Sequence, residues 1–279
     1  MNSARSKHRS PDNQDEYRYK HFTTSLLFRD LRFRKDAAAA GDPFPEFELI
    51  TTDNARLAND DVFDDTPVIF IFGSMTCPMT ASAAPSVQEL YKEFGQRIKF
   101  IMLYVREAHP GEHFNQSETI EQKLDYARAL KDFYDIDWTV AADNVAGDLH
   151  LALDPKPNAA FLANKDGIIL FRSLWASDYG ALHQALTAAA TGQQLPRDQS
   201  TKMLGPVVVA MGYVNDVMKR GGPQAVKDLW QAGLPMAMAG QVAVLFSWLS
   251  QERRGLAAVS TLILGMLVML AGLGRLLFN

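Results

Sequence analysis

The stretch Pro67-Val68-Ile69-Phe70-Ile71-Phe72-Gly73-Ser74-Met75-Thr76-Cys77-Pro78-Met79 constrains this chain more than any other. A run of β-formers ends in Gly73-Ser74, the only cysteine of 279 residues follows, and Pro78 comes directly after it. The unbroken apolar run Val68–Phe72 predicts a strand buried on both faces. Proline has a preset φ and no amide to lose, so Pro78 suits the first turn of a helix. Val87, Leu90, Tyr91 and Phe94, at i, i+3, i+4 and i+7, carry that helix to a stop at Gly95. A thiol delivered to a helix N-terminus meets roughly half a positive charge. That favours the thiolate and predicts a pKa lowered from about 8.5 into a range of roughly 3.5–7.5.

Strands and helices alternate around this stretch. Phe47–Thr51, Ile98–Val105, Trp138–Ala142, Ala159–Ala163 and Ile168–Arg172 read as strands, with Asn164-Lys165-Asp166-Gly167 a hairpin turn between the last two. Glu118–Tyr134 reads as a helix on the spacing of Ile120, Leu124, Ala127, Leu130 and Tyr134, and Tyr179–Ala190 as the closing helix. Two βα units, a β-hairpin and a last helix are the plan of an α/β, thioredoxin-like fold: a central mixed sheet flanked by helices, over residues 41–192. Residues 1–40 form a basic N-terminal extension. Its first 16 residues are polar and expected to lack order. Residues 17–35 are basic and aromatic, read as a short helix packed on the body or as an interfacial membrane helix.

Residues 193–230 read as a polar linker followed by two short helices, ahead of a hydrophobic region at 231–279. Two charge-free stretches lie there, 229–251 and 255–274. The second is long enough to cross a ~30 Å hydrocarbon core at about 1.5 Å per residue, so a transmembrane anchor is expected at 255–275. Arg253 and Arg254 lie between the stretches and prefer the cytoplasmic side. One span, with residues 229–250 on the membrane or packed on the body, keeps them there. A two-span hairpin does not, and a core helix of a larger globule is the third reading. No apolar segment of a secretory signal follows the basic residues of the N-terminus. The body is therefore expected to face the cytoplasm.

Charge is unevenly spread. Residues 1–35 hold nine Lys/Arg against four Asp/Glu, residues 201–279 seven against three, and the middle 12 against 25. An acidic body with basic ends does not suit nucleic acid, but suits an anionic membrane surface. One cysteine excludes an internal disulfide and a C-x-x-C pair. Any oxidised form of Cys77 then needs an external thiol, such as thioredoxin or glutathione, and no other cofactor is expected. The six histidines are too scattered for their spacing to indicate a metal site.

Phe72-Gly73-Ser74-Met75-Thr76-Cys77-Pro78 resembles the F-G-S-x-T-U-P block of the iodothyronine deiodinases, with cysteine in place of selenocysteine. Tyr104-Val105-Arg106-Glu107-Ala108-His109 resembles that family's Y-I-E-E-A-H block, at a similar separation, and the likeness extends weakly over about 42–190. The resemblance implies reductive removal of iodine from an aromatic ring. It makes Cys77 the nucleophile, with Ser74 and Thr76 hydrogen-bonding to it. Tyr104 and Glu107 continue a proton relay, and His109 contacts a phenolic group or supplies a proton. The family's second histidine has no clear counterpart; Ser117 falls about there and His113 lies nearby. Arg106 replaces the first glutamate of the pair, and the expected anchor is C-terminal rather than N-terminal. Pro157, with Pro155 as a rival, is expected as the cis-proline that faces the nucleophile in thioredoxin folds. Arg172 is a candidate for an anionic substrate, beside a structural role at a strand end. The partners expected are an aromatic halide or a peroxide, a thiol reductant and a membrane, and a homodimer is allowed.

Two other functions stay open at this stage. Ser74-x-x-Cys77-Pro78 also resembles the T-x-x-C-P of one-cysteine peroxiredoxins, although Asn158-Ala159-Ala160 stand where those enzymes carry an arginine. The third reading is a non-catalytic, membrane-tethered thioredoxin-like module. A Cys77 pKa near or above about 8.5 would argue against nucleophilic catalysis, and a mixed disulfide trapped with one defined protein would favour this module.

Overall fold

The computed structural model describes residues 16–278; the polar segment 1–15 lies outside them. Eight strands form one sheet in the order β2-β1-β5-β4-β3-β6-β7-β8. They are β1 (Glu48–Thr51), β2 (Arg56–Ala58), β3 (Val68–Gly73), β4 (Lys99–Tyr104), β5 (Thr139–Ala142), β6 (Ala160–Ala163), β7 (Ile169–Ser173) and β8 (Gln199–Ser200). β3 sits at the centre. It runs parallel to β4, with Gly73 opposite Tyr104, and antiparallel to β6, with Ile71 opposite Ala160. Every residue of β3 is buried, as its unbroken apolar run requires.

Side-chain alternation along β3 feeds two cores. Ile69 and Ile71 face a cluster with Val87, Leu90 and Phe94 of α3 (Pro78–Phe94) and with Leu124 and Leu130 of α4 (Ile120–Phe133). Val68, Phe70 and Phe72 face Phe44, Phe47, Leu149 and Phe161 on the other side. The order β4-β3-β6-β7, with β3–α3–β4 parallel and β6–β7 a hairpin, is the thioredoxin fold. The helix α6 (Tyr179–Thr191) closes it, packed on α3 and β7.

The sequence reading missed the shortest elements. These are β2, the one-turn α2 (Asn59–Val62), α5 (Asp148–Leu153) and β8, all too short to show a period. Residues 17–35 pack on the body, with α1 (Thr24–Asp30) capped by the Thr23 hydroxyl, which accepts from Leu26 N.

The C-terminal part departs from expectation. In place of a linker and two helices, β8 extends the sheet and three helices follow: α7 (Leu204–Ala210), α8 (Val214–Gly221) and α9 (Pro223–Ala232). The weaker apolar stretch forms α10 (Leu234–Val244), whose Ala237, Ala239 and Ala243 are buried against the body. Met211, Val214, Met218, Leu229 and Ala237 share one core with Cys77, Met79, Ala108 and Trp175. The appended helices are thus a wall of the Cys77 site.

Last comes α11 (Gln251–Phe278). Among the described residues it alone is long and apolar enough to cross a membrane, over Gln251–Ala271, and it is mostly exposed. It meets α7 at two glycines. A Cβ on Gly255 would clash with the Val208 carbonyl oxygen, and one on Gly212, in the turn that ends α7, with that of Gln251. Gly255→Val should therefore push α11 off α7. The expected result is faster proteolytic cleavage within 245–250 and a lower Tm in detergent, measured together.

Candidate active site

Residue size fixes the local backbone at the end of β3. A Cβ on Gly73 would lie 3.0 Å from Met102 Sδ and Thr80 Cγ2, so a larger residue would make both side chains give by a few tenths of an ångström where α3 starts close to the sheet. Cys77 is the N-cap residue of α3, in an extended conformation, with Pro78 in the first turn. Its N–H donates to Ser74 O at 3.4 Å, and its carbonyl accepts from Ala81 N at 3.1 Å.

The loop after β4 is tied to this turn by one carboxylate. Glu107 Oε2 accepts from Thr76 N at 3.0 Å and from Thr76 Oγ1 at 2.6 Å. The Tyr104 hydroxyl donates to Glu107 Oε1, and itself accepts from Met75 N at 3.4 Å. His109 N donates to Thr76 Oγ1 at 3.1 Å, and Ala108 N to Ser74 Oγ at 3.3 Å. Gln116 brackets the Glu107 backbone through both its amide atoms. All these groups except Gln116 are buried. Burial raises the Glu107 carboxyl to about 7 against the opposing hydrogen bonds from Thr76 and Tyr104. Burial, with Glu107 next, raises the Tyr104 phenol well above its ordinary range.

Cys77 and His109 share a small, partly open cavity of about 60 Å³, walled by Phe22, Leu31, Pro157, Trp175, Met211 and Met236 among others. Cys77 is 1% exposed. Burial pushes its thiol up to about 11, while the Thr80 hydroxyl and the amides of Thr80 and Met79 pull the other way. Burial likewise lowers His109 to about 3, and its Nδ1 is buried without a hydrogen-bond partner. His109 is therefore a neutral imidazole, with the Phe22 ring 4.1 Å from its own.

The N-terminal arm makes the seal. Tyr19 OH donates to Ala108 O at 2.8 Å, and Phe22 N donates to Asp228 Oδ2 of α9 at 3.0 Å. The Arg106 guanidinium lies 5.0 Å from the centres of the Tyr17 and Tyr19 rings and donates to Tyr17 O and Pro155 O. That explains an arginine where a glutamate was expected: it holds the arm. Asp30, also on the arm, lines the cavity with Oδ1 buried and unpartnered, and burial raises it to about 6.

Cys77, His109, Glu107, Tyr104, Thr76 and Ser74 thus come together, but the hydroxyls are used differently from expectation. Ser74 and Thr76 bind the β4 loop, and the hydroxyl facing the sulfur belongs to Thr80. Pro157 lines the cavity, but through a trans bond: every peptide bond among the described residues is trans. Arg172 does not line it. Its guanidinium donates to Gln199 Oε1 and to the carbonyls of Ala37 and Ala38, with the Phe33 ring at 4.4 Å, so it has the structural role. His113 and Ser117 also lie elsewhere, His113 on Gly221 O and Arg220 O, and Ser117 on Arg18.

Sequence reasoning missed the residues that α8 brings. Arg220 Nη1 donates to Met75 O at 3.3 Å and to Tyr134 OH at 2.9 Å. A Cβ on Gly221 would lie 3.1 Å from His109 O and 3.4 Å from Thr76 Cγ2. The Gly-Gly-Pro at 221–223 was the visible signal of such a close approach.

The family model for iodothyronine deiodinase matches residues 1–142. The chain belongs to the iodothyronine deiodinase family. A type II iodothyronine deiodinase of Fundulus heteroclitus is 26% identical over 84 residues, which are 26% of this chain and 32% of that protein. The chain thus spans about a third of that relative's length. Among solved structures, an uncharacterized conserved protein from Geobacillus kaustophilus has a TM-score of 0.48 at 14% identity, covering 58% of this chain and 87% of that one. The thioredoxin domain of a thiol-disulfide oxidoreductase from Bacteroides vulgatus has a TM-score of 0.43 at 13% identity, covering 54% and 99%.

The two titrating groups of this family motif bear on stability in opposite senses. Glu107 is raised to about 7 from 4.5, so the folded chain keeps a proton that the unfolded chain releases, and stability falls as pH rises from 4.5 to 7. His109 is lowered to about 3 from 6.5, so stability falls as pH drops from 6.5 towards 3. Glu107→Gln should flatten the first slope and His109→Gln the second, read as Tm at stepped pH. Slopes equal to the parent's would refute both assignments.

Proposed function

We propose that the chain is a thiol-dependent oxidoreductase in which Cys77 removes halogen reductively from an aromatic ring. The observation that carries this is Cys77 at the start of α3, sharing an apolar cavity with His109 and backed by the Thr76–Glu107–Tyr104 hydrogen bonds. The Cys77 thiolate takes iodine from the ring as I⁺, leaving a sulfenyl iodide, and the ring carbon takes a proton. Attack by a small thiol releases iodide and leaves a mixed disulfide on Cys77. A second thiol restores Cys77 and departs as the disulfide. Two protonatable groups face the cavity, His109 and Asp30, and the Glu107 carboxyl, raised to about 7, is poised to move a proton behind them.

The thiolate must form first. With the thiol raised to about 11 and about 60 Å³ of space beside it, this arrangement holds Cys77 as the neutral thiol at neutral pH. A cavity that takes up benzene is about 150 Å³, so an aromatic substrate needs the arm or the helical wall to move aside. A small hydroperoxide does not. A water needs about 10–15 Å³ measured in the same way, so a small hydroperoxide fits the space present, which favours a second reading. In that reaction the thiolate takes the terminal oxygen, giving a sulfenate and an alcohol, and thiols reduce the sulfenate through the same mixed disulfide.

The full-length protein in detergent, given dithiothreitol and either an iodophenol or a hydroperoxide, separates the readings. Mass spectrometry identifies the adduct on Cys77. Iodide release that Cys77→Ser abolishes, and that His109→Ala lowers by about 10²-fold or more, supports dehalogenation. Turnover of peroxide alone moves the assignment to a peroxidase. Full activity in Cys77→Ser would falsify the site. Neither turnover nor adduct would leave the non-catalytic module.

A further inference from the structure

The end of the body from which α11 departs is apolar on its outside and lines the Cys77 cavity on its inside. Leu262 is half-buried in the body, and every side chain from Ile263 to Leu270 is exposed. Packing fixes what surrounds this exit. Gly255 touches Val208 and Gly212 touches Gln251, so α7 runs antiparallel to α11. The first residues of α7 therefore lie level with Val259 and Leu262, which share their core with Met203 and Val207. α10 is joined to α11 by the short segment 245–250 and packs along it, which places the first turn of α10 at the same end. α1 arrives there too, because Thr24 Oγ1 donates to Ala232 O at 3.2 Å, just before α10 begins.

The side chains turned outward from these three helix ends are Leu204 (82% exposed), Phe28 (64%), Leu234 (51%) and Met238 (42%), with Trp230 beside them. Lys202, two residues before Leu204, and Lys227, three before Trp230, are exposed as well. Large apolar side chains gain about 1.5–3 kcal/mol each on leaving water. Such side chains, on helix ends that meet beside an apolar helix of spanning length and with an exposed tryptophan and lysines on neighbouring turns, match the interfacial zone of a bilayer. On their inner sides the same helices supply Leu27, Leu31, Val207 and Met236 to the Cys77 cavity. One layer of helix separates the nucleophile from this face.

We propose that this face, formed by Phe28, Leu204, Leu234 and Met238, rests on an anionic lipid bilayer. Apolar, membrane-dissolved substrates then reach Cys77 between α1, α7 and α10. The route rests on the thiol chemistry proposed above, but its test needs no turnover, so either can fail alone. In that arrangement α11 holds the cavity wall at the surface where such substrates concentrate, and opening the wall exposes the cavity to lipid rather than water.

Single nitroxide labels at Leu204→Cys and Leu234→Cys, in the full chain carrying Cys77→Ser and reconstituted into phosphatidylcholine–phosphatidylglycerol vesicles, test the surface. The aqueous control is Lys165→Cys, on the exposed hairpin turn. The labels at 204 and 234 should collide more with oxygen than with a water-soluble nickel chelate, and the control the reverse. Equal nickel access at all three positions overturns the proposal. So does shielding from both reagents with spin–spin broadening, which would mean a second copy on this face. The route is tested on the unsubstituted protein by maleimide labelling of Cys77. N-hexylmaleimide has four more methylenes than N-ethylmaleimide, worth ~0.8 kcal/mol each on burial, and should label at least about tenfold faster in vesicles once rates are normalised to glutathione. A ratio near one overturns the route.

Discussion

The Glu107 carboxylate holds the site together. Two chain segments separated by α3 meet above the parallel pair β3 and β4, and nothing in the sheet ladder joins them beyond Val105 N to Gly73 O. Glu107 closes that gap with three donors, two from Thr76 and one from Tyr104. Such hydrogen bonds are worth about 0.5–1.5 kcal/mol each to the protonated carboxyl and about 1.5–3 once it ionises, and leaving the donors buried and unpaired costs about 1–3. The turn that presents Cys77 and the loop that presents His109 therefore move as one unit. A motif read as catalytic is in the first place what makes the backbone of the site rigid.

Rigidity at the floor contrasts with a roof assembled from remote pieces. A helix N-terminus favours an anion by about 0.3–1 kcal/mol in ordinary settings. Raising Cys77 from 9.0 to about 11 corresponds to roughly 3 kcal/mol against the anion, so burial wins over the helix end as long as the cavity is shut. The expectation of an acidic thiol described the turn correctly and left out the cover. That cover is held by Asp228 on Phe22 N, by Arg106 between two tyrosine rings, and by Tyr19 on Ala108 O. Opening it would admit water to Cys77 and strengthen the relative weight of the helix end.

Legibility followed the range of the interaction. β3, α3, β4, α4, β5, the hairpin and α6 were readable because each announces itself through a local period or a turn signal. The cluster of Cys77, Thr76, Glu107, Tyr104 and His109 was readable because two compact motifs sit at the ends of adjacent parallel strands. What failed depended on distant partners. Nothing near Arg172 in sequence announces the carbonyls of Ala37 and Ala38 that engage it. The role of Arg106 depends on tyrosines some 90 positions upstream, and Asp30 enters the cavity only because α1 folds across it. The split of residues 203–232 into three helices hung on Gly212 and Gly221-Gly222, whose purpose is close approach to α11 and to the loop 109–113.

Apart from Arg172, these long-range failures fall at the Cys77 end of the molecule. A thioredoxin fold with a lone cysteine leaves its nucleophile open at the end of the sheet, and here that end is covered twice, by the arm and by α7–α10. Beside its buried Tyr17, Phe22 and Leu26, the arm has several polar attachments: Asp228, Arg106, Tyr19 and the buried Lys156, whose Nζ donates to Arg29 O. The helical wall is fixed by apolar packing, with Met211, Val214, Met218 and Leu229 in the core that contains Cys77. Apolar packing keeps its strength in a water-poor setting only where the alternative is water, whereas polar latches strengthen as water is excluded. A bilayer against this end would therefore loosen the drive that seats the wall and tighten the latches that seat the arm, which makes the helical wall the part that yields to an apolar substrate.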